Sequence, residues 1–329
     1  MSVVYVEHQG AVIRKMGETL RVMEGGTERQ RIPLANLEQV IIMGNIQLTT
    51  PAAVMLLKVQ VDVIFMTQSG AYLGHLIKNE SKLAELRHLQ LRLCDNESHS
   101  LAIARQVVMG KIHNQMRVLE GWLGADSHPF IEAMRSMRQS ASTAIDIDQL
   151  RGWEGKAAHY YFEGLRRWLA PEWGFTARQY HPPPDPFNAL LSFAYTLLLK
   201  DVEAKIQVVG LDSYLGFFHT LGYNRPALAL DLMEEFRPIV ADLVVLTVIR
   251  EGKITPAHFE QGHTPELPIR MNRGAMIHLI KAYEERLQEK VFHSLANGRI
   301  HYRMAMEYQA RHMARVVRGE APDFISLEG

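Results

Sequence analysis

Two acidic residues in the second half of the chain have the type and spacing to hold a divalent metal ion. In RPALALDLMEEFRP, residues 225–238, Asp231 and Glu234 share one helical face, and Arg237 continues that face. Pro238 predicts the end of this helix. The segment is otherwise mostly apolar, which is typical of a buried helix, where carboxylates are costly unless they are paired or bind a cation. The alternative is a simple pair between Glu234 and Arg237 on a solvated edge.

Two other segments carry residues that could join this face. His219, in YLGFFHTLG, is separated from Asp231 by eleven residues, and a helix–turn–helix there would bring the imidazole over the acidic face. A histidine among aromatic residues is otherwise a core or helix-end residue. Glu154, in RGWEGKAAHYYFEGL, is predicted to begin a helix whose small residues allow close packing. The alternative for Glu154 is a first-turn acid that complements the helix dipole.

A histidine and two or three carboxylates without a thiolate form a hard, oxygen-rich ligand set. Such a set suits Mg²⁺ or Mn²⁺ better than a structural Zn²⁺. These ions neutralise phosphoryl oxygens and activate an attacking hydroxyl. A fourth segment, the apolar helix predicted after the proline cluster of residues 182–186, carries one polar stripe that either faces solvent or lines a polar site: Asn188, Ser192, Thr196 and Lys200.

The residue pattern predicts an α+β protein with a small N-terminal β domain followed by a larger all-α domain. Short runs rich in β-branched residues occupy the first 78 residues, with a helix predicted to begin at Thr50-Pro51. From about residue 81 the apolar period changes to that of helices. We therefore predict a β domain at residues 1–78, a linker at 79–84 and a helical catalytic domain at 85–329.

The composition excludes several classes of protein. Of the 329 residues, 36 are Lys or Arg and 36 are Asp or Glu, so any nucleic-acid site must come from local clustering of charge. The single cysteine excludes an intrachain disulfide and a multi-thiolate zinc site, and suits a reducing cytoplasm. The amino terminus does not read as a signal peptide, and no apolar run is long enough to span a bilayer. No glycine-rich phosphate loop is present.

Four ordered sequence blocks between residues 152 and 238 resemble the CRISPR-associated integrase/endonuclease family of the spacer-acquisition module. The blocks are GWEGKAAHYYF, the RQYHPPPDPFNALLSFAYTLL run, GLDSYLGFFH and RPALALDLMEEFRP. The resemblance implies that Glu154, His219 and Glu234 bind Mg²⁺ or Mn²⁺, with Asp231 as a supporting acid. The family often has Asp where this chain has Glu234, and Arg237 falls where members carry a basic residue that could meet DNA phosphates.

The resemblance also implies an activity and partners. The family joins short DNA duplexes (prespacers) into a CRISPR repeat array by attack of a 3′-hydroxyl on a phosphodiester, and can cleave branched DNA. It forms homodimers through the β domains, and two such dimers flank a dimer of a small ferredoxin-like partner in a hetero-hexamer. Candidate contacts to double-stranded or branched DNA are Arg166, Arg167, Arg178 and Arg237. A branched-DNA repair nuclease and a non-catalytic DNA-binding scaffold are the alternative functions.

Overall fold

Strands dominate the first part of the chain and helices the rest, which confirms the predicted fold class. The computed structural model describes residues 2–35, 37–68, 72–76, 84–179, 182–220, 222–223, 225–264 and 267–329. The chain divides into two units, Met1–Ser81 and Lys82–Gly329. The division falls inside the linker predicted at 79–84, of which residues 79–83 lie outside the described residues.

Two four-stranded sheets and a helix form the described part of the first unit. The sheets have the orders β1-β5-β7-β8 and β4-β3-β2-β6. The central β5 pairs in parallel with β1 and β7 and is buried along most of its length, which explains its apolar run. Both sheets and the helix contribute to one hydrophobic core. The elements are β1 (Ser2–Val6), β2 (Val12–Met16), β3 (Thr19–Glu24), β4 (Thr27–Pro33), β5 (Leu37–Met43), β6 (Gln47–Leu48), α1 (Thr50–Lys58), β7 (Asp62–Met66) and β8 (Tyr72–Leu76).

The strand β4 was missed by the sequence interpretation because it is highly charged. It lies at the edge of its sheet, paired with β3, and its side chains alternate in exposure until the buried Ile32. Glu28 pairs with Arg21 of β3 at 2.9 Å. Charged residues of this kind are a common way of protecting an edge strand from unwanted pairing.

The second unit is largely helical, but it is not all-α as predicted. Its described residues include two β-hairpins, β9–β10 and β11–β12, whose short strands did not stand out between helices. No helix among the described residues is long and apolar enough to cross a membrane. The elements are α2 (Ala84–Cys94), α3 (Glu97–Leu123), α4 (His128–Ser142), α5 (Ile147–Trp168), α6 (Pro186–Val209), α7 (Ala227–Met233), a π-helix (Arg237–Asp242), α8 (Leu243–Arg250), β9 (Phe259–Thr264), β10 (Leu267–Met271), α9 (Arg273–Gln288), β11 (Lys290–His293), β12 (Gly298–His301) and α10 (Tyr302–Val317).

The helix predicted to end at Pro238 has different limits. The helix α7 ends at Met233, and after a turn the chain continues through the π-helix directly into α8. Pro238 lies in the first turn of the π-helix, where the N–H that proline lacks is not needed, so it does not stop the chain from continuing as a helix. Glu234 therefore lies at the junction between α7 and the π-helix.

Candidate metal centre

Asp231 anchors the chain segment that carries His219. Its Oδ2 accepts hydrogen bonds from the backbone N–H of Phe217 at 2.6 Å and of Phe218 at 3.0 Å, and its Oδ1 accepts one from the N–H of His219 at 2.9 Å. The helix–turn–helix expected around His219 is therefore wrong: the described residues from 211 to 226 form turns and bends. Charge-assisted hydrogen bonds to one fully buried carboxylate set this segment instead.

The His219 ring is oriented by the same carboxylate. Its Nδ1 lies 2.7 Å from Asp231 Oδ1, and its Nε2 lies 3.8 Å from Glu234 Oε1. When Nδ1 donates its proton to Asp231, Nε2 keeps a lone pair directed toward Glu234. A carboxylate that fixes a ring in this way is the usual partner of a metal-binding histidine. The segment also borders a cleft of about 780 Å³, which His219 lines together with Arg151.

Glu234 is a buried carboxylate surrounded by positive charge. Its side chain is 2% exposed, its Oε2 lies 2.6 Å from Lys111 Nζ, and its Oε1 lies 3.4 Å from a terminal guanidinium nitrogen of Arg237. Burial acts to raise the pKa of this carboxyl, but the charges of Arg237 and Lys111 outweigh burial and lower the pKa to about 2. Glu234 is therefore ionised at neutral pH. The predicted pair with Arg237 is present, but it is buried and does not lie on a solvated edge.

Glu154 reaches the same place from another helix. It is the eighth residue of α5, so it does not serve as a first-turn acid. Its Oε1 lies 2.5 Å from Lys111 Nζ, and Lys111 thus contacts both Glu154 and Glu234. The sequence interpretation missed Lys111, whose signal is a single lysine inside the apolar stretch VVMGKI of α3.

The donor set at this place fits a hard divalent cation by its chemistry. Glu154 and Glu234 supply carboxylate oxygens, and His219 supplies a nitrogen whose ring is fixed by Asp231. Throughout the described ranges, no three His, Cys, Asp or Glu side chains already stand in the arrangement of a metal site. The two glutamates are held to the Lys111 ammonium instead. That these residues bind metal therefore stays a prediction.

Arg237 and Arg178 lie on the ring of Tyr195 and not on an open surface. Their guanidinium carbons lie 4.8 and 5.3 Å from the ring centroid, and the Tyr195 hydroxyl donates to Asp242 at 2.7 Å. Tyr161 donates to the other oxygen of Asp242 at 2.9 Å. Burial raises the pKa of Asp242 to about 6. The side chain of Arg237 lies 3.4 Å from Glu234 and is 11% exposed, so it offers little surface to DNA.

Arg166 and Arg167 are exposed on α5, beyond Glu154. Arg166 pairs with Glu163 at 2.6 Å, and Arg167 lies over the Phe130 ring at 4.7 Å. They follow Glu154 by twelve and thirteen residues on one helix, which is about 18 to 20 Å along its axis. On an ideal helix the two positions are turned about 120° and 140° away from Glu154 around the axis, so their contact with DNA stays a prediction.

The polar stripe of α6 packs against the protein and does not face solvent. Asn188 is fully buried and accepts a hydrogen bond from Arg178 at 2.9 Å, while Ser192 accepts another from Arg178 at 3.3 Å. At the other end of the stripe Lys200 pairs with Glu203 at 2.6 Å. Two residues of the stripe therefore position Arg178, which lies over Tyr195, and Lys200 forms a separate buried ion pair.

Comparison with known proteins identifies the family. A model of the family described as CRISPR associated protein Cas1 matches residues 4–285. The chain belongs to the Cas1 family. It is similar to CRISPR-associated endonuclease Cas1 3 of Thermus thermophilus, with 35% identity over 98% of this chain and 96% of the relative. It is also similar to CRISPR-associated endonuclease Cas1 1 of Moorella thermoacetica, with 33% identity over 99% of this chain and 97% of the relative.

Solved structures share the fold of this Cas1 chain. A Cas1 protein from Thermotoga maritima matches with a TM-score of 0.85 and 24% identity over all of both chains. A casposase bound to an integration product matches with a TM-score of 0.85 and 20% identity, covering 99% of this chain and 93% of that one. A chain of a Cas6-RT-Cas1–Cas2 complex matches with a TM-score of 0.84 and 25% identity, covering 99% of this chain but 36% of that longer one.

Proposed function

We propose that this Cas1 protein is a metal-dependent DNA integrase and endonuclease that joins prespacers into a CRISPR repeat array. The observation that carries the proposal is the convergence of Glu154, His219 and Glu234 from α5, an irregular segment and the α7–π-helix junction. The endonuclease names of the relatives support cleavage of nucleic acid, and the fold shared with a casposase bound to an integration product is consistent with strand joining.

Each residue of the centre has a proposed task. Glu154, Glu234 and Nε2 of His219 would hold Mg²⁺ or Mn²⁺, which supplies charge neutralisation at phosphoryl oxygens and activation of the attacking hydroxyl. Asp231 keeps the proton of His219 on Nδ1, so the lone pair of Nε2 remains available to bind a metal ion. Arg237 keeps Glu234 ionised.

Phosphoryl transfer at this centre does not require a covalent intermediate on the protein. Cys94 lines the same cleft as His219, but burial and the nearby charge of Asp231 raise the pKa of its thiol to about 12. A thiol with that pKa is protonated at neutral pH and is a poor nucleophile. Positioning of a DNA hydroxyl against a phosphodiester is the chemistry that these residues favour.

The proposal includes partners. The homodimer through the β domains and the hetero-hexamer with a small ferredoxin-like protein follow from the family resemblance, and the match to a Cas1–Cas2 complex supports such a partner. The basic residues Arg166 and Arg167 are the proposed contacts to duplex DNA. Phosphate contacts of this kind supply most of the affinity for DNA without reading sequence.

The deciding experiment is strand transfer. A labelled short duplex with free 3′-hydroxyls is incubated with a supercoiled plasmid that carries a repeat, in Mn²⁺, Mg²⁺ or chelator, with and without the partner protein. Variants Glu154→Gln, His219→Ala and Glu234→Gln should abolish joining. Glu120→Gln, an exposed glutamate on α3, is the matched control and should leave joining unchanged.

The products separate the proposed function from its alternatives. Metal-dependent transfer of label that requires Glu154 supports the integrase. Nicking without transfer of label would favour a repair nuclease for branched DNA. A folded protein that binds DNA and does neither would be a scaffold.

A further inference from the structure

Lys111 occupies an unusual position between the two glutamates of the centre. Its Nζ lies 2.5 Å from Glu154 Oε1 and 2.6 Å from Glu234 Oε2, and its side chain is 7% exposed. The two carboxylates come from elements far apart in sequence, so this one ammonium bridges α5 and the α7–π-helix junction. An ordinary buried pair differs from this arrangement: Lys200 pairs with Glu203 of its own helix, three residues away.

The charged groups around the Lys111 ammonium are nearly all paired with one another. Asp231 is occupied by backbone N–H groups and by the His219 ring, and Glu234 also has Arg237. With Lys111 in place, the two glutamates and the two cations balance. A divalent ion that used the same oxygens would stand against the ammonium, and like charges at contact range in a buried site repel strongly.

We propose that Lys111 is a built-in counter-cation that holds Glu154 and Glu234 together in the metal-free protein and must be displaced when a divalent ion binds. This inference rests on the metal site of the proposed function. Lys111 is a positioning residue in this role: it lowers the affinity for the ion while it keeps the two carboxylates close together. The side chain is displaced by rotation of its own flexible stem, so α3 keeps its place.

The test is direct binding of Mn²⁺ to the purified, metal-free full-length chain by calorimetry, with no DNA and no activity assay. Lys111→Gln keeps two N–H donors for the glutamates but removes the charge, and it should lower the Kd for Mn²⁺ at least tenfold. Lys111→Arg keeps the charge and should stay within about threefold of the wild type. Lys200→Gln, which removes another buried lysine paired with a glutamate, is the matched control and should also stay within about threefold.

The outcomes separate this inference from the proposed function. A Lys111→Gln protein that binds Mn²⁺ as the wild type does, or more weakly, overturns the role of Lys111 and leaves the metal site standing. Saturable binding in Lys111→Gln and not in the wild type supports it. Binding that is indifferent to Glu154→Gln removes the metal site and this inference with it.

A second measurement shows whether the Lys111 variants fold and bind the ion. The melting temperatures of Lys111→Gln and Lys111→Met should rise more with added Mn²⁺ than that of the wild type, because tighter binding to the folded state stabilises it more. If neither variant folds at saturating Mn²⁺, Lys111 has a purely structural role and the inference is wrong.

Discussion

Glu234 and Glu235 are neighbours in the chain and both are buried, but their carboxyl groups are in opposite protonation states at neutral pH. Cationic side chains lower the pKa of Glu234 to about 2. Burial raises the pKa of Glu235 to about 8, although its carboxyl accepts hydrogen bonds from Gln309 at 2.8 Å and from the N–H of Leu327 at 2.6 Å. One faces the centre, and the other faces the C-terminal segment.

Glu235 makes the stability of the protein fall as the pH rises. Its pKa in the folded state lies above the ordinary value of 4.5, so its contribution is fully present below pH 4.5 and is lost as the pH rises to about 8. Between pH 6.5 and 8.5, above the pKa of Asp242, the wild type should lose roughly 1–2 kcal/mol more than Glu235→Gln. Urea unfolding at the two pH values measures this. Equal losses in both proteins would contradict the burial argument.

Asp231→Asn should weaken metal binding and loosen the segment that carries His219. The amide cannot accept the same set of hydrogen bonds as the carboxylate, and it no longer fixes the proton on Nδ1. We expect Mn²⁺ affinity to fall by about 10- to 100-fold and the free energy of unfolding to fall by about 1.5–3 kcal/mol. Calorimetry and urea unfolding measure the two effects. Asp148→Asn, with its exposed side chain, is the control and should change neither.

Gly216 is required by the close approach of its segment to α7. A Cβ there would lie 2.6 Å from the carbonyl carbon of Ala227 and 2.8 Å from Asp231 Oδ2. Gly216→Ala should therefore destabilise the protein by about 1–3 kcal/mol. Gly222→Ala is the matched control, since the nearest atom to its Cβ would be 3.7 Å away. A Gly216→Ala protein as stable as the control in thermal unfolding would show that the segment can move aside.

The double variant Arg166→Ala/Arg167→Ala should weaken duplex binding for all sequences alike. The slope of log affinity against log salt is negative, and each lost phosphate contact reduces its magnitude by about 0.9. Fluorescence anisotropy at several salt concentrations gives this slope. Arg135→Ala, an exposed arginine in a similar ion pair on α4, is the control. An unchanged slope in the double variant would place the duplex elsewhere.

Removal of residues 1–78 should leave a monomeric helical protein if the β domain forms the dimer contact. The two units each have their own internal packing, which makes the deletion a fair test. Light scattering of the deleted and complete chains gives their masses. A dimer that survives the deletion would move the contact to the helical unit.

Much of the fold could be predicted because periodicity reports it directly. The change from alternating to helical apolar patterns near residue 81 marks the change of architecture. The charged strand β4 and the hairpins of the second unit escaped because the signal of a strand is a buried face, and these short strands bury few side chains. The helix end predicted at Pro238 is wrong because a proline stops a helix in its interior but is tolerated in its first turn, where Pro238 lies.

The centre could be predicted in part. Spacing on a predicted helix related Asp231 to Glu234, but His219 is placed by backbone hydrogen bonds that no side-chain periodicity reports. Lys111 was not predicted as part of the centre because its partners are distant in sequence: Glu154 is 43 residues away, and Glu234 is farther still. Contacts at that separation depend on how α3 and α5 pack, which local sequence does not encode.

The hydrogen bonds to Asp231 fix one part of the connection between α6 and α7. The position of the imidazole is set at residues 217–219, before the chain reaches Thr220. Beyond that point, Tyr223 is fully exposed. Residue 223 is thus a natural attachment point for a fluorescent label that leaves the backbone hydrogen bonds to Asp231 in place.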